Sequence, residues 1–214
     1  FGSSQHCGTR LDRRQQTLHW MAVLGDEFKG PVLVTVAYFV VYYAFMFLQI
    51  KAREASATRA EERGRAYDKH NDKDPQTVMA NRTFLNTLEQ MGPLMMSLWL
   101  CAGCVSCQFA TWVGSIAVVA RFLFPIMWSL GPGGRWNMLV ELSTLPYYLS
   151  VWSMFVPVAV WAVADVNMVE ELPLWGLLLV ILPSAAAAFI VVFLLGFILH
   201  CITNPAFGDD EDSS

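Results

Sequence analysis

The amino-acid sequence predicts an all-α protein, a polytopic membrane helix bundle with four core spans and an additional fifth. Of its 214 residues, 55% are hydrophobic and 15% are charged, and the mean hydropathy is +0.43. Soluble domains usually carry about 25% charged residues. Twelve of the 14 Lys and Arg residues precede Thr83, which leaves only Arg121 and Arg135 in the rest of the chain. This composition argues against a soluble enzyme, a disordered chain or a nucleic-acid-binding protein.

The first predicted span is 31–50, which follows a polar N-terminal arm, 1–29. The span is twenty residues long without a charge, or about 30 Å as an α-helix, enough to cross the core of a bilayer. Residues 51–82 form a polar connection with eight basic and six acidic side chains. Within it, Asp74-Pro75 is typical of a helix start.

Three more spans are predicted before a fifth, longer apolar stretch. The second and third spans are 91–109 and 111–130, and the segment 131–134 (GPGG) is a loop because clustered Gly and Pro interrupt helices. The fourth span is 138–164. Its two prolines are tolerated because neighbouring helices can satisfy the freed backbone groups.

The fifth apolar stretch, 172–202, is too long for one upright helix. We expect Pro183 to divide it into an interfacial lead-in and a span over 184–201, followed by an acidic tail at 209–212. The polar connection 51–82 carries more basic residues than the N-terminal arm, so the connection is predicted to lie on the cytoplasmic-equivalent side.

Charged residues near or inside these spans are the candidates for function. A charge at the bilayer centre costs about 2.5–3.5 kcal/mol on insertion scales, and such residues usually face the bundle. At the mouth of the second span, a cation, an amide, a carboxylate and a proline are spaced i, i+4, i+7 and i+11, which places them on one helix face. These residues are Arg82, Asn86, Glu89 and Pro93.

A second set follows in the third span. Arg121, Phe124 and Trp128 share one helix face, and Arg135 precedes the fourth span, where its guanidinium and the helix N-terminus would both favour an anion. A structural interpretation is also open for these charges. Arg82 could pair with Glu89, and Arg121 could neutralise Glu89 or Glu141 inside the bundle.

Both sets resemble the signature of the MAPEG family, the membrane-associated proteins of eicosanoid and glutathione metabolism. That family carries an Arg-x3-Asn-x2-Glu-x3-Pro pattern at the start of its second span, and all four positions match. Its third span commonly shows Arg-x2-Tyr, an aromatic residue four positions later, and an arginine fourteen after the first. The residues that keep this spacing are Arg121, Phe124, Trp128 and Arg135. The resemblance covers about 31–164.

The resemblance implies a glutathione transferase or peroxidase that acts on lipophilic substrates. In the family's enzymes glutathione lies between neighbouring subunits of a trimer, so the likeness implies a homotrimer in the lipid bilayer. By resemblance, the charged ends of glutathione would be held by Arg82, Asn86, Glu89 and Arg121. Arg135 would act as the catalytic residue, because a thiol with a pKa near 8.5 needs a cation to ionise. Residues 30–164 would form the family domain, and 165–214 an additional membrane helix and tail.

Departures from the family pattern favour a second function. The expected tyrosines are replaced by Phe124 and Trp128, and a fifth span is added to the four of the family. The sequence also starts at Phe1 rather than Met, which removal of an organellar presequence or a chain boundary would explain. The alternative is a non-catalytic subunit of a large organellar complex, photosynthetic or respiratory, with other membrane subunits as partners. The membrane is therefore predicted to be plastid, mitochondrial or endoplasmic reticulum.

A Cys-x2-Cys-x2-Cys pattern at Cys101, Cys104 and Cys107 imitates a metal-cluster motif. On one helix inside an apolar span, the three sulfur atoms would spread over about 120°. Small residues in such places usually allow close helix packing. No metal site is predicted.

Overall fold

A computed structural model describes residues 25–68, 74–131 and 138–203, without the side chains of 188, 189 and 200–203. Regular structure in these ranges is entirely helical, as the sequence predicts. The five long helices are α1 (Lys29–Glu62), α2 (Pro75–Cys104), α3 (Cys107–Ser129), α4 (Met138–Ala164) and α5 (Leu174–Thr203). A 3-10 turn, Asp26–Phe28, leads into α1, and one helical turn, Met168–Glu171, precedes α5.

The chain is a multi-pass membrane protein. Within the part of the chain that the structure describes, four segments are long and apolar enough to cross a bilayer: Asp26–Glu62, Cys107–Ser129, Met138–Ala164 and Leu174–Leu199. The more polar α2 follows α1 after a short connection and runs antiparallel to it. The Tyr38 hydroxyl donates a 2.7 Å hydrogen bond to the carbonyl of Thr87, which places the two helices at the same depth. The helical bundle that the sequence predicts is confirmed.

The polar connection between the first two spans is mostly helical, since α1 continues to Glu62 and α2 begins at Pro75. Asp74 caps α2 by accepting a hydrogen bond from the Thr77 amide at 3.2 Å, and its carboxylate pairs with Arg59 at 2.9 Å. The helix start predicted at Asp74-Pro75 is confirmed. This pairing fixes the register between α1 and α2.

The predicted boundary between the second and third spans is wrong. Helix α2 ends at Cys104 rather than near residue 109, and α3 starts at Cys107. The reason is Ser106, whose extended backbone ends the first helix and whose hydroxyl accepts a hydrogen bond from the Phe109 amide at 3.3 Å. Cys101 and Cys104 therefore end one helix and Cys107 begins the next, instead of sharing one helix.

The core lies between α1, α2, α3 and α4. Three of these helices meet at Gly114 of α3, where a Cβ atom would lie 2.8 Å from Leu98 of α2 and 2.9 Å from Val34 of α1. Both of these neighbours are buried. Close helix approach at a small residue is the usual packing device in membranes.

The predicted division of the fifth stretch at Pro183 is also wrong, because α5 is continuous from Leu174 to Thr203. The Ser184 hydroxyl donates to the carbonyls of Val180 at 2.7 Å and Ile181 at 3.0 Å, next to the Leu179 carbonyl for which Pro183 has no N–H donor. One face of α5 packs on α4 through Ile181, which is 2% exposed. The side chains at 190–195 and 197–199 are exposed and apolar, as for a helix that contacts lipid.

Candidate functional site

A polar stripe runs along the outer face of α2. Arg82 and Glu89 are exposed and Asn86 is half-buried, whereas Thr83 and Thr87, which are turned about 100° away from the stripe, are fully buried. The helical spacing therefore places the three predicted residues on one face, as the sequence indicates. The packing of α2 against α1 buries none of these three side chains completely.

This stripe forms one wall of an open cavity of about 440 Å³ between α2, α3 and α4. That volume is within the range of ordinary small-molecule sites. Three of the four predicted binding residues line the cavity, together with aromatic side chains of α3 and polar side chains of α4. The lining residues are Arg82, Leu85, Asn86, Glu89, Phe124, Trp128, Glu141 and Thr144.

Arg121, the fourth predicted binding residue, lies behind the cavity wall. It is 3% exposed, and its Cζ atom lies 5.6 Å from the ring centre of Phe124, which lines the cavity. On its other side, the same atom lies 4.0 Å from the ring centre of Tyr147. The Nε atom of Arg121 has no hydrogen-bond partner among the described residues.

The charges around the cavity are not paired with one another. The ion pairs within the described ranges are Lys29–Asp26, Lys51–Glu54 and Arg59–Asp74. None of them involves Arg82, Glu89, Arg121 or Glu141, so the structural interpretation of these charges is not supported by the described part of the chain. A buried, unpaired guanidinium is costly in a membrane, and an anionic ligand would compensate it.

Two aromatic residues give the cavity an apolar side. Phe124 is 2% and Trp128 8% exposed, and their ring centres lie 5.8 Å apart. Both stand where the resemblance leads one to expect tyrosine. The wall therefore offers ring surface but no phenolic hydroxyl.

Two α4 residues at the site lie outside the set that the sequence predicts. Glu141, which the sequence offers only as a partner for Arg121, and Thr144 both line the cavity. Their i, i+3 spacing puts them on one face of α4. The spacing alone could not have shown which face meets α2.

The predicted catalytic residue, Arg135, lies outside the described residues, between the end of α3 and the start of α4. The three cysteines of the cluster-like pattern are free thiols, buried at Cys101 and half-buried at Cys104 and Cys107. Within the described ranges, no group of three or more His, Cys, Asp or Glu side chains could hold a metal ion.

The helices that build the cavity coincide with the match to a known family. A family model described as the MAPEG family matches residues 31–160, which is more than half of the chain. No curated protein and no solved structure matches the chain.

Proposed function

Since the chain belongs to the MAPEG family, we propose that it is a glutathione-dependent transferase or peroxidase acting on lipophilic substrates. The observation that carries this proposal is the cavity lined by Arg82, Asn86 and Glu89, with the buried Arg121 behind its wall, which forms no ion pair with any described residue. In this proposal residues 30–164 form the glutathione-binding domain, and 165–214 add a membrane helix and a tail.

The charge pattern of the cavity suits glutathione, a peptide with two carboxylates, one ammonium group and a thiol. Arg82 and Arg121 would bind carboxylates, because charge-assisted hydrogen bonds to guanidinium are strong and geometrically specific. The carboxylates of Glu89 and Glu141 would bind the ammonium group, and the Asn86 amide would bind the peptide backbone. Glutathione itself supplies a thiol that is nucleophilic when ionised, and Arg135 is the residue we propose to lower the pKa of that thiol.

The outward direction of the stripe supports a homotrimer with the site between subunits. Besides Arg82 and Glu89, the exposed surface of α2 carries Leu85 at 45%, Leu88 at 40% and Met96 at 62% exposure. A second copy placed against this surface would cover the apolar side chains and close the open side of the cavity.

An apolar groove supports a lipophilic second substrate. The groove has a volume of about 320 Å³, lies between α3 and α4, and is lined by side chains that include Trp112, Ile116, Leu123 and Leu142. Leu123 and Leu142 neighbour the cavity residues Phe124 and Glu141 along the chain. A hydrophobic electrophile could thus reach the site from the bilayer.

Calorimetry of the purified protein in mild detergent with reduced glutathione tests the proposal. We expect saturable binding that Arg82→Ala weakens by about tenfold or more, because one charge-assisted contact is lost. Arg63→Ala is the matched control, since Arg63 is exposed and does not line the cavity. Absence of glutathione binding in the unchanged protein would overturn the proposal.

A non-catalytic role in a large organellar membrane complex is the second candidate. It is favoured by the Phe124–Trp128 wall, which lacks tyrosine hydroxyls, and by the exposed apolar side chains of α5. Purification of the native protein under mild detergent separates the two candidates. A self-contained trimer supports the enzyme, whereas co-purifying subunits or pigments support the complex.

A further inference from the structure

Among the described residues, an aromatic ring rather than a carboxylate contacts the Arg121 guanidinium. Its Cζ atom lies 4.0 Å from the ring centre of Tyr147, and both residues are buried. We propose that Tyr147 is a positioning residue that holds the Arg121 guanidinium against the cavity wall for an anionic group of the ligand. This inference rests on the proposed glutathione function and names a residue that the family pattern does not include.

Tyr147 is itself fixed by a hydrogen bond. Its hydroxyl donates to the carbonyl of Gln90 at 2.7 Å. This carbonyl lies in the turn before Pro93, where proline removes the helical partner of the Glu89 carbonyl and disturbs the backbone. The bond therefore ties the ring beneath Arg121 to the turn of α2 that carries Glu89.

A second buried tyrosine bonds to the same part of α2. The Tyr38 hydroxyl of α1 donates to the Thr87 carbonyl at 2.7 Å, and Tyr38 is close enough to Arg121 and Tyr147 to interact with both. The two accepting residues, Thr87 and Gln90, bracket Glu89. The tyrosines thus fix the position of the cavity stripe relative to Arg121.

An aromatic ring can hold a guanidinium without neutralising it. The attraction comes from the negative face of the ring, and within the described residues the Nε of Arg121 has no hydrogen-bond partner. A carboxylate in the position of Tyr147 would compensate the charge. The observed pairing instead leaves the charge and the Nε donor of Arg121 for an anionic group of a ligand.

A substitution series at 147 tests this role. Tyr147→Phe removes the hydrogen bond to the Gln90 carbonyl but keeps the ring face, so it is the reference for the series. Pentafluorophenylalanine at 147, introduced by amber suppression, lacks the same hydroxyl and also weakens the cation–π attraction, and we expect its glutathione Kd to be about tenfold above that of Tyr147→Phe. Tyr148→Phe is the control, because Tyr148 is exposed and its hydroxyl contacts the Gln90 side chain rather than Arg121.

The same series in an Arg121→Met background separates positioning from packing. If Tyr147 acts through Arg121, the pentafluoro ring should cause no further change there, because coupled residues are not additive. A Kd for the pentafluoro protein equal to that of Tyr147→Phe, or equal effects in both backgrounds, would overturn the inference while leaving the proposed function intact. Loss of glutathione binding already in the unchanged protein would instead remove the proposed function.

Discussion

Replacing Arg121 with methionine is expected to stabilise the unliganded protein and to remove most of its glutathione binding. Arg121 is 3% exposed and forms no ion pair within the described residues, so the free protein bears the cost of a buried charge. Methionine has a similar length and fills irregular space without a charge. If Arg121 serves ligand binding, the change should raise the free energy of unfolding of the free protein. If Arg121 is compensated inside the bundle, the change should lower it.

The magnitude follows from two opposing contributions. Burying the guanidinium costs several kcal/mol, and the cation–π attraction to the ring of Tyr147 at 4.0 Å offsets only about 2 kcal/mol of this cost. Arg121→Met should therefore raise the free energy of unfolding by about 2 kcal/mol, or the melting temperature by about 4–8 °C for a chain of this size. Loss of a charge-assisted contact should weaken glutathione binding about 10- to 150-fold.

Thermal unfolding in detergent, with and without glutathione, measures both effects. In the unchanged protein, glutathione at about 100 times its Kd should add about 2.7 kcal/mol, whereas Arg121→Met should start higher and respond little. Arg121→Lys is the control, because it keeps the charge but loses the planar fork, and it should gain no stability. A melting temperature for Arg121→Met well below that of the unchanged protein would show that Arg121 is compensated inside the bundle and would refute the reasoning.

Gly114→Ala should lower the free energy of unfolding by about 1–3 kcal/mol, because the added Cβ collides with Leu98 and Val34. Gly103→Ala is the control and should not lower the free energy of unfolding, because Gly103 is a helical position with open space around it. Equal melting temperatures for the two variants would contradict the close packing at Gly114. Removing residues 172–214 should leave the glutathione Kd within about twofold, since the described residues that line the cavity all belong to α2, α3 or α4. Calorimetry of the shortened protein checks this prediction. If the shortened protein is folded but no longer binds glutathione, α5 contributes to the site.

The bundle was predictable from the sequence because long apolar segments have few alternatives to helices in a bilayer. The wrong predictions concern helix boundaries, because hydropathy alone does not show where a helix ends inside an apolar stretch. Val105 and Ser106 make a turn inside a continuous apolar stretch, and only the capping preference of serine could have located it. Pro183 would end most helices in water, but in an apolar stretch the helix continues through it.

The site was predictable only where one helix determines it. The i, i+4, i+7 spacing places Arg82, Asn86 and Glu89 on one face without knowledge of any neighbour. Tyr147 and Thr144 depend on the register between α4 and the other helices, which is set by contacts such as the bond from Tyr147 to the Gln90 carbonyl. No local pattern in the sequence carries that information.

The depth of Glu89 gives an energetic reason for a neighbouring copy. Asn81 accepts a hydrogen bond from Gln49, at the end of the apolar part of α1, whereas Thr87 is bonded to Tyr38, near its middle. Glu89 therefore lies deep in the apolar layer and is nevertheless exposed in a single chain. A charge left facing lipid at that depth would cost about 2.5–3.5 kcal/mol on insertion scales. A second copy that covers the stripe would remove this cost and complete the cavity, so the position that disfavours an isolated chain also favours a site shared between subunits.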